Sequence, residues 1–293
     1  MAFSILYWSN YTAGTTKLMR KSETAVQSDH VLKFVYDKDA QFIRGIVQAS
    51  RPELSYQVTI ACLTTGQKEN CMWSSVRNNR LTASNCGCVL AAIKRSRYPV
   101  SLYKRLCSAY DLSKMDAIIW GTCNEKVAIE KYRTFGDAVV EPTGIWLHCN
   151  GVLGSSPDGL IHHPAAFGFS YQNPGLADIL EMSNVKPEIL EVKFPFSAKN
   201  MTIPEAIEKV HDFCIEVKDF NGVKFFKLRE NHQYYDQVQG QLHITGKSLC
   251  DFMVRTPKDC AIVKINKDIN WEINISVLTD FYFCKFLPNL KQL

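Results

Sequence analysis

A run of six residues, Ile189-Leu190-Glu191-Val192-Lys193-Phe194, does most to limit what this chain can become. The run is apolar apart from two charges, and Pro195 closes it; it reads as a strand stopped by a residue that cannot donate to a ladder. Side chains at i and i+2 of a strand share a face. Glu191 and Lys193 therefore emerge side by side, with Leu190, Val192 and Phe194 on the other face. Upstream, Asp158 stands in a Pro-Asp-Gly turn between Gly151-Val152-Leu153 and Leu160-Ile161. An Asp brought beside the Glu191–Lys193 pair would supply two oxygen ligands for a hard divalent cation and one ammonium, a set suited to metal-assisted phosphodiester hydrolysis. Each half also has an ordinary reading. Pro-Asp-Gly is common turn chemistry, and an exposed Glu-x-Lys pair is worth little.

With 293 residues the chain has material for one large domain or two small ones. It is 46% hydrophobic and 22% charged, as ordinary globular proteins are. No apolar run approaches the roughly 20 residues of a membrane span, and the N-terminus lacks the basic and apolar regions of a signal peptide. Eleven cysteines, scattered without framework spacing, read as reduced thiols of an intracellular protein of the nucleus or cytoplasm. Cys86-Gly87-Cys88 comes closest to a metal motif but has no second pair at ligand spacing. The net charge is +5, yet residues 61–110 carry eight basic side chains against Glu69 alone. Such a local excess is the footprint of a polyanion partner; charge alone fits a solvated helix face equally well.

Residues 1–60 read as a partly ordered N-terminal extension with one strand candidate, 31–36. From about residue 70 the pattern sharpens. Trp73, Arg77 and Arg80 precede Leu81-Thr82-Ala83-Ser84-Asn85, whose N-cap types lead into a helix over 88–93. Hydroxyls and two arginines at a helix N-terminus form a natural anion pocket, although a plain cap beside surface arginines is the commoner case. A second helix is expected from Thr122 to Phe135, with Glu125 in its first turn, where the helix dipole already explains a carboxylate. Residues 137–146 lead towards a strand. Pro164 to Lys186 reads as a loop insertion. Thr202-Ile203-Pro204-Glu205 is a capping-box start, with Ile207, Val210, Phe213 and Cys214 as one apolar face, and Asn221-Gly222 a tight hairpin turn. A helix over 232–242 puts Tyr234, Val238 and Leu242 on one stripe, with Gln237 and Gln241 along its edge. Three glutamines so near a buried stripe suggest bonding to something polar, with at least one of them expected to face solvent. Strands at 251–255 and 261–265 and a helix around 277–286 complete a mixed α/β or α+β architecture, a central mixed sheet covered by helices.

Five motifs in order carry a resemblance: Trp73…Arg77…Leu81-Thr82-Ala83-Ser84, Trp120-Gly121…Glu125, Ser156-Pro157-Asp158-Gly159-Leu160, Leu190-Glu191-Val192-Lys193-Phe194-Pro195 and Tyr234…Gln237-Val238-Gln239. Together they resemble the YqaJ-like viral recombinase family, which contains phage lambda exonuclease and belongs to the PD-(D/E)xK nucleases with the restriction-endonuclease-like core. The resemblance covers residues 64–288, inside a nuclease domain expected over 61–290. It implies a Mg²⁺-dependent deoxyribonuclease, with Mn²⁺ as a substitute, acting 5′-to-3′ on double-stranded DNA ends in recombination or repair. Asp158, Glu191 and the carbonyl of Val192 would hold the metal, with Glu125 completing the site directly or through water. Lys193 would position or deprotonate the attacking water, and Gln237 would orient Lys193 or that water. Arg77, Thr82 and Ser84, with Arg80 near them, match positions that receive a 5′ phosphate. A homotrimer and a single-strand annealing partner come with the family by resemblance alone. An endonuclease or structure-specific nuclease of the same fold, or a non-catalytic DNA-binding relic of a viral or mobile element, are the alternatives the sequence leaves open.

Overall fold

The computed structural model describes residues 31–37, 42–48, 55–61, 77, 80–107, 115–136, 138–148, 150–162 and 187–290. The chain divides into two compact units, Met1–Thr65 and Gly66–Leu293. In the first, β1 (Val31–Asp37), β2 (Phe42–Gln48) and β3 (Ser55–Ala61) form an antiparallel meander in that order. Only β1 was legible beforehand. β3 alternates Tyr56, Val58 and Ile60 with Ser55, Gln57 and Thr59, a period-two signal that its polar half obscured. Trp73 and the expected loop over 164–186 lie outside the described residues.

The second unit opens with β4 (Leu81–Thr82), α1 (Ala83–Lys94), α2 (Val100–Leu106) and α3 (Asp116–Arg133). Short strands β5 (Val139–Glu141), β6 (Trp146–Leu147), β7 (Leu153–Ser155) and β8 (Gly159–His162) lead to β9 (Ile189–Lys193). Beyond a 3-10 turn, α4 (Ile203–Lys209), the hairpin β10 (Ile215–Phe220) and β11 (Val223–Leu228), and α5 (Gln233–Thr245) follow. β12 (Leu249–Arg255), β13 (Cys260–Asn266) and α6 (Ile273–Phe281) come next, and the chain runs through a π-helical turn, Tyr282–Phe286, into α7 (Leu287–Leu290).

The central sheet has the order β13-β12-β9-β8-β5, mixed because β12 and β9 run parallel while the other pairs are antiparallel. It is flanked by helices, as the sequence implied. β9 is a central strand with both faces covered, which is why its apolar content is almost continuous. Ile189 packs with Cys250, Phe252 and Val254 against Val238 and Leu242 of α5. Leu190, Val192 and Phe194 pack with Met253 against Ala128 and Tyr132 of α3. Phe252 is fully buried, and each such side chain stabilises the fold by about 1.5–3 kcal/mol. A third cluster joins α1, α2 and α6 to Leu153 of β7, in the three-stranded sheet β4-β7-β6. α1 and α5 approach closely through glycines: a Cβ on Gly87 would stand 2.8 Å from the Gln233 Cα. That approach is open only to glycine.

Local chemistry sets most boundaries. The Thr202 capping box forms as read, its hydroxyl and the Glu205 carboxylate serving each other's backbone N–H. Asn221 and Gly222 both take positive φ, 53° and 82°, which a two-residue hairpin turn of the primed type requires. α4 stops at Lys209, so Phe213 and Cys214 reach the same core from the following segment instead of from the helix. Among the described residues no helix is long and apolar enough to cross a membrane.

Candidate active site

Strand pairing unites the two halves of the motif. β8 lies antiparallel on β9 with Gly159 opposite Leu190. Asp158, one residue ahead of β8, donates its N–H to the Leu190 carbonyl at 2.9 Å. Its carboxylate Oδ2 accepts the Val192 N–H at 2.7 Å. The turn carboxylate is thus fixed to the backbone between Glu191 and Lys193. Gly159 makes this possible: a Cβ there would run into Val140 Cγ1 of β5.

Glu191 is 2% exposed, and a carboxylate so deep needs strong donors. It has three. Its Oε1 accepts from Lys193 Nζ at 2.6 Å and from Gln237 Nε2 at 2.5 Å, and its Oε2 accepts from Gln241 Nε2 at 2.7 Å. Burial alone would lower the Lys193 pKa, but the Glu191 carboxylate first, then Tyr234 and Asp158, outweigh it and drive it upward. Lys193 is therefore an ammonium, and it lies 4.6 Å from the centre of the Tyr234 ring. Gln237, expected to orient Lys193 or a water, holds Glu191. All three glutamines are buried, none facing solvent: Gln239 donates to the Asn266 carbonyl and accepts from the Asp268 N–H.

Glu125 does not sit in a first turn. α3 begins at Asp116, whose own carboxylate takes that place, so the dipole no longer accounts for Glu125. Glu125 is half-buried, one turn before Ala128 and two before Tyr132, both of which face the sheet. α3 covers the Leu190–Val192–Phe194 face, opposite the face from which Glu191 reaches α5. Among the described residues no three His, Cys, Asp or Glu side chains gather into a metal cage. Cys86 and Cys88 are free thiols turned to backbone carbonyls of their own helix, at Thr82 and Asn85.

The anion-pocket residues gather at the start of α1. Thr82 is its N-cap, but no side chain caps the backbone there; the Thr82 hydroxyl pairs with the Ser84 hydroxyl at 2.9 Å. Arg105 of α2 donates to Asn85 Oδ1, and Asn85 Nδ2 donates to Thr82 Oγ1, a chain that orients these hydroxyls. Arg77 is half-buried and loses basicity through burial. Arg80 loses basicity the same way, partly countered by Tyr282, and donates to the Gly151 carbonyl at 2.9 Å. β4 and β7 pair in parallel, Thr82 opposite Gly154, so Ser155 stands level with the first residue of α1. Its hydroxyl is buried with no hydrogen-bond partner. Ser155 and Gln241 were missed as site residues. A lone serine carries no signal, and Gln241 showed only its helical spacing from Gln237.

The family model described as YqaJ-like viral recombinase domain matches residues 72–248, more than half the chain. The fold is similar to that in a crystal structure of LHK-Exo in complex with dAMP, with a TM-score of 0.51 at 19% identity, covering 76% of this chain and 95% of that one. A second crystal structure of LHK-Exo, an alkaline exonuclease from Laribacter hongkongensis, gives a TM-score of 0.49 at 19% identity, covering 76% and 97%. No curated protein matches the chain.

Proposed function

The chain belongs to the YqaJ-like viral recombinase family, and from that membership and its site we propose that it is a divalent-metal-dependent deoxyribonuclease that degrades double-stranded DNA from 5′-phosphorylated ends. The observation that carries this reading is the Asp158 carboxylate bonded to the Val192 N–H, which sets a second carboxylate beside Glu191 and Lys193. Two carboxylates and a backbone carbonyl at Val192 are oxygen donors of the kind Mg²⁺ or Mn²⁺ takes, so the residues fit such an ion. The metal would lower the pKa of a bound water and polarise the phosphoryl oxygen. The protein's own part is positional. Asp158 and Glu191 would hold the ion, Lys193 supplies positive charge for the developing phosphorane, and Glu125 would complete the site from α3 through water.

The uncapped start of α1, with Thr82, Ser84, Ser155, Arg77 and Arg80, is the proposed seat of the terminal phosphate. The exposed Lys94, Arg95, Arg97 and Lys104 on and around α1 and α2 would follow the duplex backbone. LHK-Exo, described with the deoxyribonucleotide dAMP, supports DNA as the polymer.

The test uses linear duplex bearing a 5′ phosphate, the same duplex with a 5′ hydroxyl, and closed circular DNA, each with Mg²⁺. The expected outcome is degradation of the first, slower degradation of the second and none of the circle. Cutting of the closed circle would replace the reading with an endonuclease, and indifference to the 5′ phosphate would remove the α1 pocket from it.

A further inference from the structure

Gln239 and Gln241 lie two residues apart on α5, and both are 1% exposed. They are satisfied very differently. Gln239 uses both ends of its amide, donating to Asn266 and accepting from Asp268, and ties α5 to the segment after β13. Gln241 gives its Nε2 to Glu191 Oε2 at 2.7 Å, and its own Oε1 is buried with no partner. Turned over, the amide would aim oxygen at oxygen, so the carboxylate dictates its orientation. An unsatisfied buried acceptor costs about 1–3 kcal/mol. An apolar side chain of the same volume would avoid that penalty, at the loss of a donor to the buried Glu191 carboxylate. The needs of Gln241 itself therefore do not explain a glutamine here.

Its effect on Glu191 does. Lys193 and Gln237 both bond Oε1, and two bonds to one oxygen do not by themselves fix the rotation of the carboxylate plane. Gln241 bonds the other oxygen, and it sits on the same helix as Gln237, one turn on. Bonds at both oxygens from one rigid helix fix the rotation of the carboxylate. We propose that Gln241 is a positioning residue that pre-orients the Glu191 carboxylate for the divalent cation; this rests on the metal reading given under the proposed function. Side chains that orient metal-ligating carboxylates typically contribute 10–100-fold to metal affinity.

The experiment measures Mn²⁺ binding to the full chain by isothermal titration calorimetry and by the Mn²⁺ electron paramagnetic resonance signal, without DNA. Wild type, Asp158→Ala, Gln241→Met and Gln239→Met are compared, each with a thermal melt. Wild type is expected to bind and Asp158→Ala to lose binding. Gln241→Met is expected to bind about 10–100-fold more weakly, and to melt closer to wild type than Gln239→Met does, because the donor lost to Glu191 is partly offset by removal of the orphaned acceptor. Gln239→Met is expected to melt lower yet bind Mn²⁺ as wild type does. Should Gln241→Met fail to fold, Gln241→Asn, whose amide stops short of Glu191, is expected to show the same weakening. Wild-type affinity in a folded Gln241 variant, with Asp158→Ala unable to bind, overturns this inference and leaves the metal reading standing. Binding absent from wild type, or unaffected by Asp158→Ala, overturns both.

Discussion

A carboxylate as deeply buried as Glu191 survives because strong donors meet it, and this sets how single residues respond to change. Removing one partner of a buried ion pair costs about 3–5 kcal/mol, so alanine at Lys193 would confuse stability with chemistry. Gly159 gives a cleaner test of geometry. An alanine there must push β8 away from Val140, and overpacking of this kind costs about 1–3 kcal/mol. It also moves Asp158, the next residue, and a displacement of about 1 Å in a reacting group can cost roughly 10²-fold in rate. Gly159→Ala is expected to lower the urea midpoint modestly and nuclease activity far more; equal, mild losses in both would contradict a positional role. At this scale the sequence was most informative where chemistry is local. A two-residue spacing put Glu191 and Lys193 on one face, and a turn offered Asp158. What stands opposite a side chain is not local, so the partner of Gln237 and the existence of Gln241's bond could not be read.

Among the elements, α5 carries the most, because it delivers both glutamines to Glu191. Its N-cap is His232, whose Nδ1 accepts from the Tyr234 N–H at 3.1 Å; that bond exists only for the neutral ring. Burial pushes the His232 pKa down, with Asp212 opposing and Arg229 and Lys193 adding to the shift. A histidine depressed in the folded state contributes stability in full above its ordinary value of about 6.5, and that contribution is lost as pH falls through the lowered value. His232→Asn keeps a capping acceptor that does not titrate. Melts between neutral and mildly acidic pH are expected to show a shallower acid decline for His232→Asn than for wild type, with little difference at neutral pH. Parallel declines would show that the cap does not titrate. His243, also lowered by burial, keeps part of the decline in both proteins. Capping boxes and turns were legible at this scale, as α4 and the β10–β11 hairpin attest. The start of α3 was not: Asp116-Ala117-Ile118-Ile119 leaves both isoleucines exposed, so no buried stripe announced the helix.

Across the whole molecule, the chain divides into compact units at Thr65 and Gly66, and among the described residues the three apolar clusters of the second unit lie between Leu81 and Leu290. A fragment beginning at Gly66 is therefore expected to fold cooperatively and keep nuclease activity; a fragment that melts without a transition would tie the nuclease fold to the first unit. The mixed sheet with helices on both faces followed from element order, and the family from ordered motifs, because both survive errors in single boundaries. The meander over 31–61 did not, since short half-polar strands carry weak signals. The claim on which the rest depends is that Asp158, joined to β9, makes the hydrolytic centre with Glu191 and Lys193. Asp158→Asn tests it most directly: the amide oxygen can still accept the Val192 N–H, so the fold is kept while the charge is removed. Measured as release of deoxynucleotides from 5′-phosphorylated duplex in Mg²⁺, hydrolysis by Asp158→Asn is predicted to fall to background with an unchanged melting temperature. Hydrolysis at the wild-type rate by the folded variant would contradict the account.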